Sequence, residues 1–522
     1  MIFHIIFRDT FIQKIFLYTI FLFALTTTNT HMLFTTNLSF SQTPDQNITQ
    51  NVTKLKIVEP NTTFNTEEGG QVVNNELIVL LKQPSQISPD EAGFILEDPV
   101  SSITREVEDQ GLKVNQSQLL SGINALVLTI DSHDIFMEES TANVTDSLTP
   151  SNITAHNNQA LENLVNRIEK NPLIEDVETN KLMVTHQSSS LVEDVETNTL
   201  MTTSETSSQV IPIGLDRIDG EPNKNETSFV DVDVAIMDTG IDADHHDLNV
   251  LEDKQINFIG STPDDLCSHG THDAGIVGAK DNDIGIVGVA PGAKLWNVKV
   301  LDKNPSTGGC LGSLAGVIQG LNYVAENADE IDVLYLGLGG FCSANSCDSP
   351  VYEKAINRVV DNGVVVVVSA GSSNQNAKDF IPARFLSPIT VSTISDTDGK
   401  CGGLGPNSNL QRGGPDDTLA GFSNFGSSID IAAPGVNILS SYPDDTYAIL
   451  SGSTKSAAYV AGAAALIKAE HPNISPSIVQ NMLLENSSNM QTECDNKGGG
   501  YFKDDRDGFP EPLLYVKNIN GN

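Results

Sequence analysis

Three stretches of this chain carry the side chains that acyl transfer needs. A carboxylate lies in Ala235-Ile236-Met237-Asp238-Thr239-Gly240, and an imidazole in Ser268-His269-Gly270-Thr271-His272-Asp273-Ala274-Gly275. A hydroxyl lies in Ser451-Gly452-Ser453-Thr454-Lys455-Ser456-Ala457-Ala458-Tyr459-Val460-Ala461-Gly462. An aspartate that orients an imidazole, a histidine that removes a proton and a hydroxyl at a helix start form the logic of nucleophilic acyl transfer. Taken singly, each is ordinary: an Asp at a strand end is usually a turn or cap residue, and a His at a helix start is more often structural.

Bringing the three together requires a scaffold, and the flanking sequence supplies one. Val232 to Met237, Lys294 to Leu301, Asp332 to Leu338, Val364 to Ala370 and Ile389 to Ile394 read as short buried strands. Helical patterns at His269 to Ala279, Ser313 to Asn327, Val351 to Asp361 and Thr454 to Glu470 alternate with them or follow them. Near-continuous apolar strands between helices predict an α/β fold, a doubly wound parallel sheet covered on both faces. Sites in such sheets gather at the carboxyl ends of the strands, where Asp238 falls.

Before this sheet the pattern differs. Glu76 to Leu81 and Asn124 to Ile130 are strand-like, while Val100 to Gln110 and Leu161 to Lys170 have helical spacing. That order predicts a small α+β, ferredoxin-like split-βαβ domain over 71–185. Leu173 to Met183 (LIEDVETNKLM) recurs 18 residues later as Leu191 to Met201 (LVEDVETNTLM), inside a linker spanning 186–208. The repeat is either a local duplication in a tail or a functional second copy. Residues 209–490 form the main domain and 491–522 a C-terminal extension.

Composition narrows the partners. Against 29 basic residues stand 68 acidic ones, a net charge of −39 that excludes nucleic acid and anionic membrane surfaces as partners. Arg8 and Lys14 precede the apolar run Ile15 to Leu25, so 1–28 is read as a secretory signal or N-terminal anchor, followed by a polar linker over 29–70. An anchor there is the one membrane attachment expected. Asn37, Asn47, Asn51, Asn61, Asn143, Asn152 and Asn225 head glycosylation sequons, which agrees with a secreted or cell-surface protein. Six cysteines, Cys267, Cys310, Cys342, Cys347, Cys401 and Cys494, make disulfides plausible in that compartment, and Cys342 with Cys347 is the one pairing proposed.

The order Asp, His, hydroxyl is that of subtilisin, and from Gln209 to about Asn489 the chain resembles the subtilase family of serine peptidases. Asp238-Thr239-Gly240 is similar to its aspartate motif and His269-Gly270-Thr271-His272 to its histidine motif. Ile211 to Ile218 (IPIGLDRI) is similar to its mature start, and Phe422 to Gly426 and Ala433 to Val436 to further landmarks. The resemblance implies peptide-bond hydrolysis on peptide or protein substrates. Asp238, His269 and Thr454 would be the catalytic residues, Leu336, Gly337, Leu338, Gly339 and Gly340 the substrate-binding strand, and Ser372 the oxyanion position. It also implies that 71–185 is an inhibitory propeptide whose tail lies in the chain's own cleft, with the repeat as a duplicated tail. Self-cleavage is then expected near Ser208-Gln209.

A structural calcium ion is implied as well, with oxygen donors from three segments. The matching positions are Gln209, Asp247 and Asn282, with the backbone carbonyls of Ile284 and Ile286.

The departures from the family pattern weigh on function. The family reads Gly-Thr-Ser-Met-Ala-x-Pro-His-Val-Ala-Gly, and aligning Val460-Ala461-Gly462 puts Thr454 at the nucleophile, with Lys455, Ala458 and Tyr459 in place of Met, Pro and His. Ser453 and Ser456 point about 100° or more away on a helix. Thr454 keeps its Oγ1, yet its methyl restricts χ1, and an internal residue has no free amine to activate it. Ser372 replaces the oxyanion Asn, with Asn374 nearby. Loss of such a donor costs about 100- to 1,000-fold in rate, a figure that comes from subtilisin itself. Ser268 stands for a Gly, the Leu336–Gly340 strand lacks the family's Ser, and Asp273 one turn from His269 threatens to hold the imidazole protonated. Two functions stay open: an exported endopeptidase of weak or lost activity, or a pseudo-peptidase whose cleft binds extended peptides or acts as a cell-surface module.

Overall fold

The computed structural model describes residues 72–82, 99–109, 113–120, 122–130, 165–166, 168–171, 174–185 and 201–202, then 209–221 and 229–519 except 306–307, 343–346, 411 and 518. The signal or anchor at 1–28, the linker at 29–70, the seven sequons named above and most of the 186–208 linker lie outside the described residues. Among the described residues no helix is long and apolar enough to cross a membrane.

The first part contains β1 (Val72–Leu81), α1 (Pro99–Asp109), β2 (Val114–Leu120), β3 (Ala125–Ile130) and β4 (Ile174–Val184). The strands lie side by side as β2-β3-β1-β4, all antiparallel. Alternation decides the two faces. Leu77, Val79, Leu126 and Leu128 pack against Ile103 and Val107 of α1, four apart on one helix face. Ile78, Leu80 and Val127 point the other way, into a core shared with the main domain. Burial on both faces explains why Leu77 to Leu81 is continuously apolar.

Two of these strands had no sequence prediction. The polar run VNQSQLL forms β2, and the acidic first copy of the repeat forms β4. The second copy contributes Met201–Thr202 (β5), which pairs elsewhere, as described below.

The main domain holds α2 (Ile213–Arg217), β6 (Asp233–Asp238), β7 (Val250–Asn257), α3 (His269–Gly278), β8 (Lys294–Lys299), β9 (Asp302–Lys303) and β10 (Cys310–Ser313). Then come α4 (Leu314–Glu326), β11 (Val333–Leu336), β12 (Gly340–Phe341), α5 (Pro350–Asp361), β13 (Val365–Ser369) and β14 (Phe380–Ile381). The chain continues through β15 (Ile389–Ser395), β16 (Thr418–Leu419), β17 (Ile431–Pro434), β18 (Ile438–Tyr442), β19 (Thr446–Leu450), α6 (Ser453–Glu470) and α7 (Pro476–Asn486).

Strands β7-β8-β6-β11-β13-β15-β17 run parallel, and β16 adds antiparallel to β15, making the predicted parallel-sheet α/β fold with eight strands. Val333 and Tyr335 of β11 and Val365 and Val367 of β13 face α3 and α6. Leu334, Leu336, Val366 and Val368 face α4 and α5. The period of two sends alternate residues to opposite helix layers, so β11 and all of β13 but Ser369 are apolar.

The segment 491–522 joins this core. Leu513, Leu514 and Val516 are buried, Leu514 N donates to Ala432 O at 2.9 Å, and Cys494 is bonded to Cys401. Cys342 pairs with Cys347, the one pairing anticipated, and Cys267 with Cys310.

Candidate active site

Asp238 ends β6, where Thr239 N donates to its Oδ1 at 2.7 Å and Gly240 turns the chain. The next element is anchored from outside by Asp265, a residue with no sequence signal. Its Oδ1 accepts from Thr239 Oγ1, Cys267 N and Ser268 N, and its Oδ2 from Thr271 N and Oγ1, all within 3.0 Å. This carboxylate meets the free N–H groups at the start of α3, where helix donors lack partners, and ties them to the strand end. Ser268 bends into the helix at φ 68°, the left-handed region that favours the glycine expected there. Gly270 is needed for contact, since a Cβ on it would lie 2.1 Å from Gly240 O.

The helix therefore seats against β6 with His269 over Asp238. His269 Nδ1 lies 2.8 and 3.0 Å from the two Asp238 oxygens, and its Nε2 lies 3.1 Å from Thr454 Oγ1. All three side chains are buried. Burial pushes the Asp238 carboxyl above the usual range against the opposing pull of His269. The structure thus joins the three predicted groups into one hydrogen-bonded line, with the hydroxyl delivered by the first turn of α6.

The neighbours of the line differ from expectation in one respect. Asp273 does approach His269 Nδ1, its Oδ2 at 3.4 Å, but that oxygen also accepts from the Tyr335 hydroxyl, and its Oδ1 accepts from Lys455 Nζ at 2.7 Å. Asp273, Lys455 and Tyr335 are all fully buried. Burial alone would raise the Asp273 carboxyl, but Lys455 and His269 outweigh it and hold the group well below its ordinary value. Lys455 and Asp273, which look from the sequence like separate losses, are an ion pair.

Ser372 is brought to the start of α6, where its Oγ donates to Ser453 Oγ and accepts from Ser453 N, both at 3.1 Å. Its hydroxyl is thereby engaged one residue before Thr454. Asn374 does not lean in. Its side chain accepts from Arg506 on an exposed surface and its backbone takes a left-handed φ of 55°.

The strand Leu336 to Gly340 leaves β11 beside Asp238. A Cβ on Gly337 would lie 2.0 Å from Asp238 Oδ2 and 2.5 Å from Tyr335 Oη, so the aspartate and the tyrosine together take the space that a side chain at 337 would need. Leu338 is buried, and Gly340 pairs with Ile381. Gly339 exchanges backbone hydrogen bonds with Val184, at 3.0 Å in both directions. On its other edge the end of β4 pairs with β10, as Leu182 with Ser313, Met183 with Gly312 and Val184 with Leu311. The first repeat copy is thus the middle strand between Gly339 and β10. Of the second copy only Met201 is described, and it pairs with Tyr447 of β19. The β10 edge, unmarked in the sequence, is tied by Cys267–Cys310 to the loop that carries Ser268 and His269.

The anticipated calcium ligands also converge. Gln209 Nε2 reaches Lys280 O at 2.7 Å and Ile286 O at 3.1 Å, and Asn282 Nδ2 lies 3.0 Å from Asp247 Oδ1. Ile284 stands at the exposed rim, its N–H on Asn282 Oδ1. Two carbonyls aimed at an amide whose ends exchange by a half-turn, beside a buried carboxylate, fit a hard cation once the amide oxygen turns inward. Burial raises the Asp247 carboxyl to about 6.

Residues 231–504 match the model of the subtilase family, peptidase S8. Over 291 residues the chain is 33% identical to subtilisin DY of Bacillus licheniformis, covering 54% of this chain and 93% of the relative. Subtilisin Savinase of Lederbergia lenta is 34% identical over 285 residues, with the same coverages of 54% and 93%. Among solved structures, a cold adapted subtilisin-like serine proteinase matches at 28% identity and a TM-score of 0.46, over 59% of this chain and 99% of that one. With its aspartate, histidine and hydroxyl in one line at the ends of β6, α3 and α6, the chain belongs to the subtilase family.

Proposed function

We propose that this protein is an exported endopeptidase of low turnover in which Thr454 is the nucleophile, His269 the base and Asp238 its orienting charge. The observation that carries the reading is the 3.1 Å contact between His269 Nε2 and Thr454 Oγ1 with Asp238 on the opposite ring nitrogen. Thr454 Oγ1 adds to the peptide carbonyl as its proton passes to His269 Nε2. The imidazolium returns that proton to the leaving amine as the C–N bond breaks, and water then attacks the threonyl ester under the same base. Two features make it slow. The threonine methyl limits the rotamers open to the nucleophile, and Ser372, engaged with Ser453, is a shorter oxyanion donor than a carboxamide.

The segment 71–185 acts in this reading as a propeptide. What supports it is the Leu182–Val184 strand paired on both edges of the cleft. Peptide substrates bind the same way, as an added strand. That contact also supports the second reading, a pseudo-peptidase that keeps only peptide binding. Export is supported by the N-terminal apolar run and the sequons. A calcium ion held by Gln209, Asp247, Asn282 and the carbonyls of Ile284 and Ile286 would brace the mature N-terminus.

Intact-mass and N-terminal analysis of the purified protein tests the choice. The active form is expected to cut itself near Ser208-Gln209 while His269→Ala stays whole. If both stay full length and neither hydrolyses a peptide library, the pseudo-peptidase reading takes its place.

A further inference from the structure

Beyond the catalytic line, three fully buried residues from three elements meet at one point: Asp273 of α3, Lys455 of α6 and Tyr335 of β11. A buried ion pair is costly to desolvate and retains little net advantage unless its remaining donors and acceptors are met. Here they are met in part by position. One Asp273 oxygen takes Lys455 at 2.7 Å, while the other takes Tyr335 and lies 3.4 Å from His269 Nδ1. The charged and titratable groups around the imidazole are Asp238 from β6, Asp273 from its own helix, Lys455 with Thr454 from α6, and Tyr335 from β11. His272, also on α3, lies 3.8 Å from Asp273, and burial drives its basicity down to about 4, so it adds no charge near neutral pH.

The imidazole therefore faces two carboxylates, one of which carries its own counter-charge. The geometry points to Lys455 as a positioning residue that cancels Asp273, so that His269 responds to Asp238 alone and stays available as a base. Tyr335 fixes the carboxylate between the two, and together with Asp238 Oδ2 it excludes a side chain at Gly337. The inference rests on the reading of His269 as the base facing Thr454. It deepens that reading by naming what keeps the base usable with a second acid beside it.

Histidine-selective NMR titration of the full chain tests this without requiring turnover. An opposite charge within about 4–6 Å moves a titration by about 1–3 pH units. Lys455→Met, which leaves Asp273 uncompensated, is expected to raise the His269 midpoint by about one unit or more. Asp273→Val, which leaves the ammonium uncompensated, is expected to lower it. The double variant Asp273→Val/Lys455→Met, an apolar pair that folds without a buried charge, is expected within about half a unit of the parent. A merely structural pair would not move the midpoint in opposite directions. An unchanged midpoint in Lys455→Met, or a double variant displaced as far as that single one, overturns the proposal. Should one single variant fail to fold, the other decides by the direction of its shift, and Lys455→Gln or Asp273→Asn, which remove the same charge while keeping a polar partner of similar shape, takes the place of the one that fails. Absence of peptide hydrolysis would count against the peptidase reading alone.

Discussion

Val184 and Gly339 exchange both of their backbone hydrogen bonds, so the end of β4 lies against the Leu336–Gly340 strand by main-chain contacts that any extended peptide could make. Proline at 184 removes one donor, and one such bond is worth about 1 kcal/mol net. Val184→Pro is expected to weaken the tail about fivefold or more in competition with an added peptide copying residues 182–185. Fluorescence anisotropy of that labelled peptide should show binding to the variant at concentrations where the parent excludes it. Equal exclusion by both proteins would mean that side chains, not the backbone ladder, hold the segment.

The nucleophile and oxyanion positions are expected to be repairable together. Thr454→Ser removes the methyl that restricts the hydroxyl, and Ser372→Asn restores a longer donor. The pair is expected to raise kcat/KM on a chromogenic peptide by about 100-fold or more. No gain from a folded double variant would move the fault to the cleft strand or to the environment of His269.

Ser268 offers a cleaner stability measurement. Its φ of 68° costs a residue with a side chain about 1 kcal/mol relative to glycine. Its side chain makes no capping bond to α3. Ser268→Gly should raise the unfolding free energy by about that amount in urea titrations. A loss of stability would show that the serine side chain contributes more than its backbone strain takes away.

Calcium should act through Asp247. Its raised value of about 6 exceeds the unfolded reference of 3.8, so without metal its contribution is present below the unfolded value and fades as pH rises through 6. Bound calcium needs the carboxylate and reverses this, so chelation with EGTA is expected to lower Tm more at pH 7.5 than at pH 5. The difference should vanish in Asp247→Asn. An EGTA effect independent of pH, or retained in the variant, would place any ion elsewhere.

Much of this molecule is legible without coordinates because its signals are local. A strand buried on both faces is apolar along most of its length, so Val364 to Ala370, with Ser369 its one polar residue, announces its place in a parallel sheet. The close seat of α3 on β6 demands small residues, as at Gly270. The motifs around Asp238, His269 and Thr454 lie on these elements, and their chemistry can be stated before they are seen to meet. Strands β2 and β4 escape the same reading because their order comes from pairing partners rather than from their own apolar pattern. The acidic LIEDVETNKLM is a strand only because β1 and β10 lie alongside it.

What tertiary structure alone decided is which charges meet. Asp273 reads as a threat to the histidine, Lys455 as a lost methionine, and Tyr335 as one more residue of a buried strand. Folding brings them within hydrogen-bonding distance from three elements, and a buried charge has no energetic meaning until its partner is known. The same holds for Asp265, whose two oxygens collect donors from both sides of the α3 start. Residue types along the chain determined the parallel sheet, the helices that cover it and the three motifs around Asp238, His269 and Thr454; the balance of charge around His269 is a property of distances that no linear spacing records.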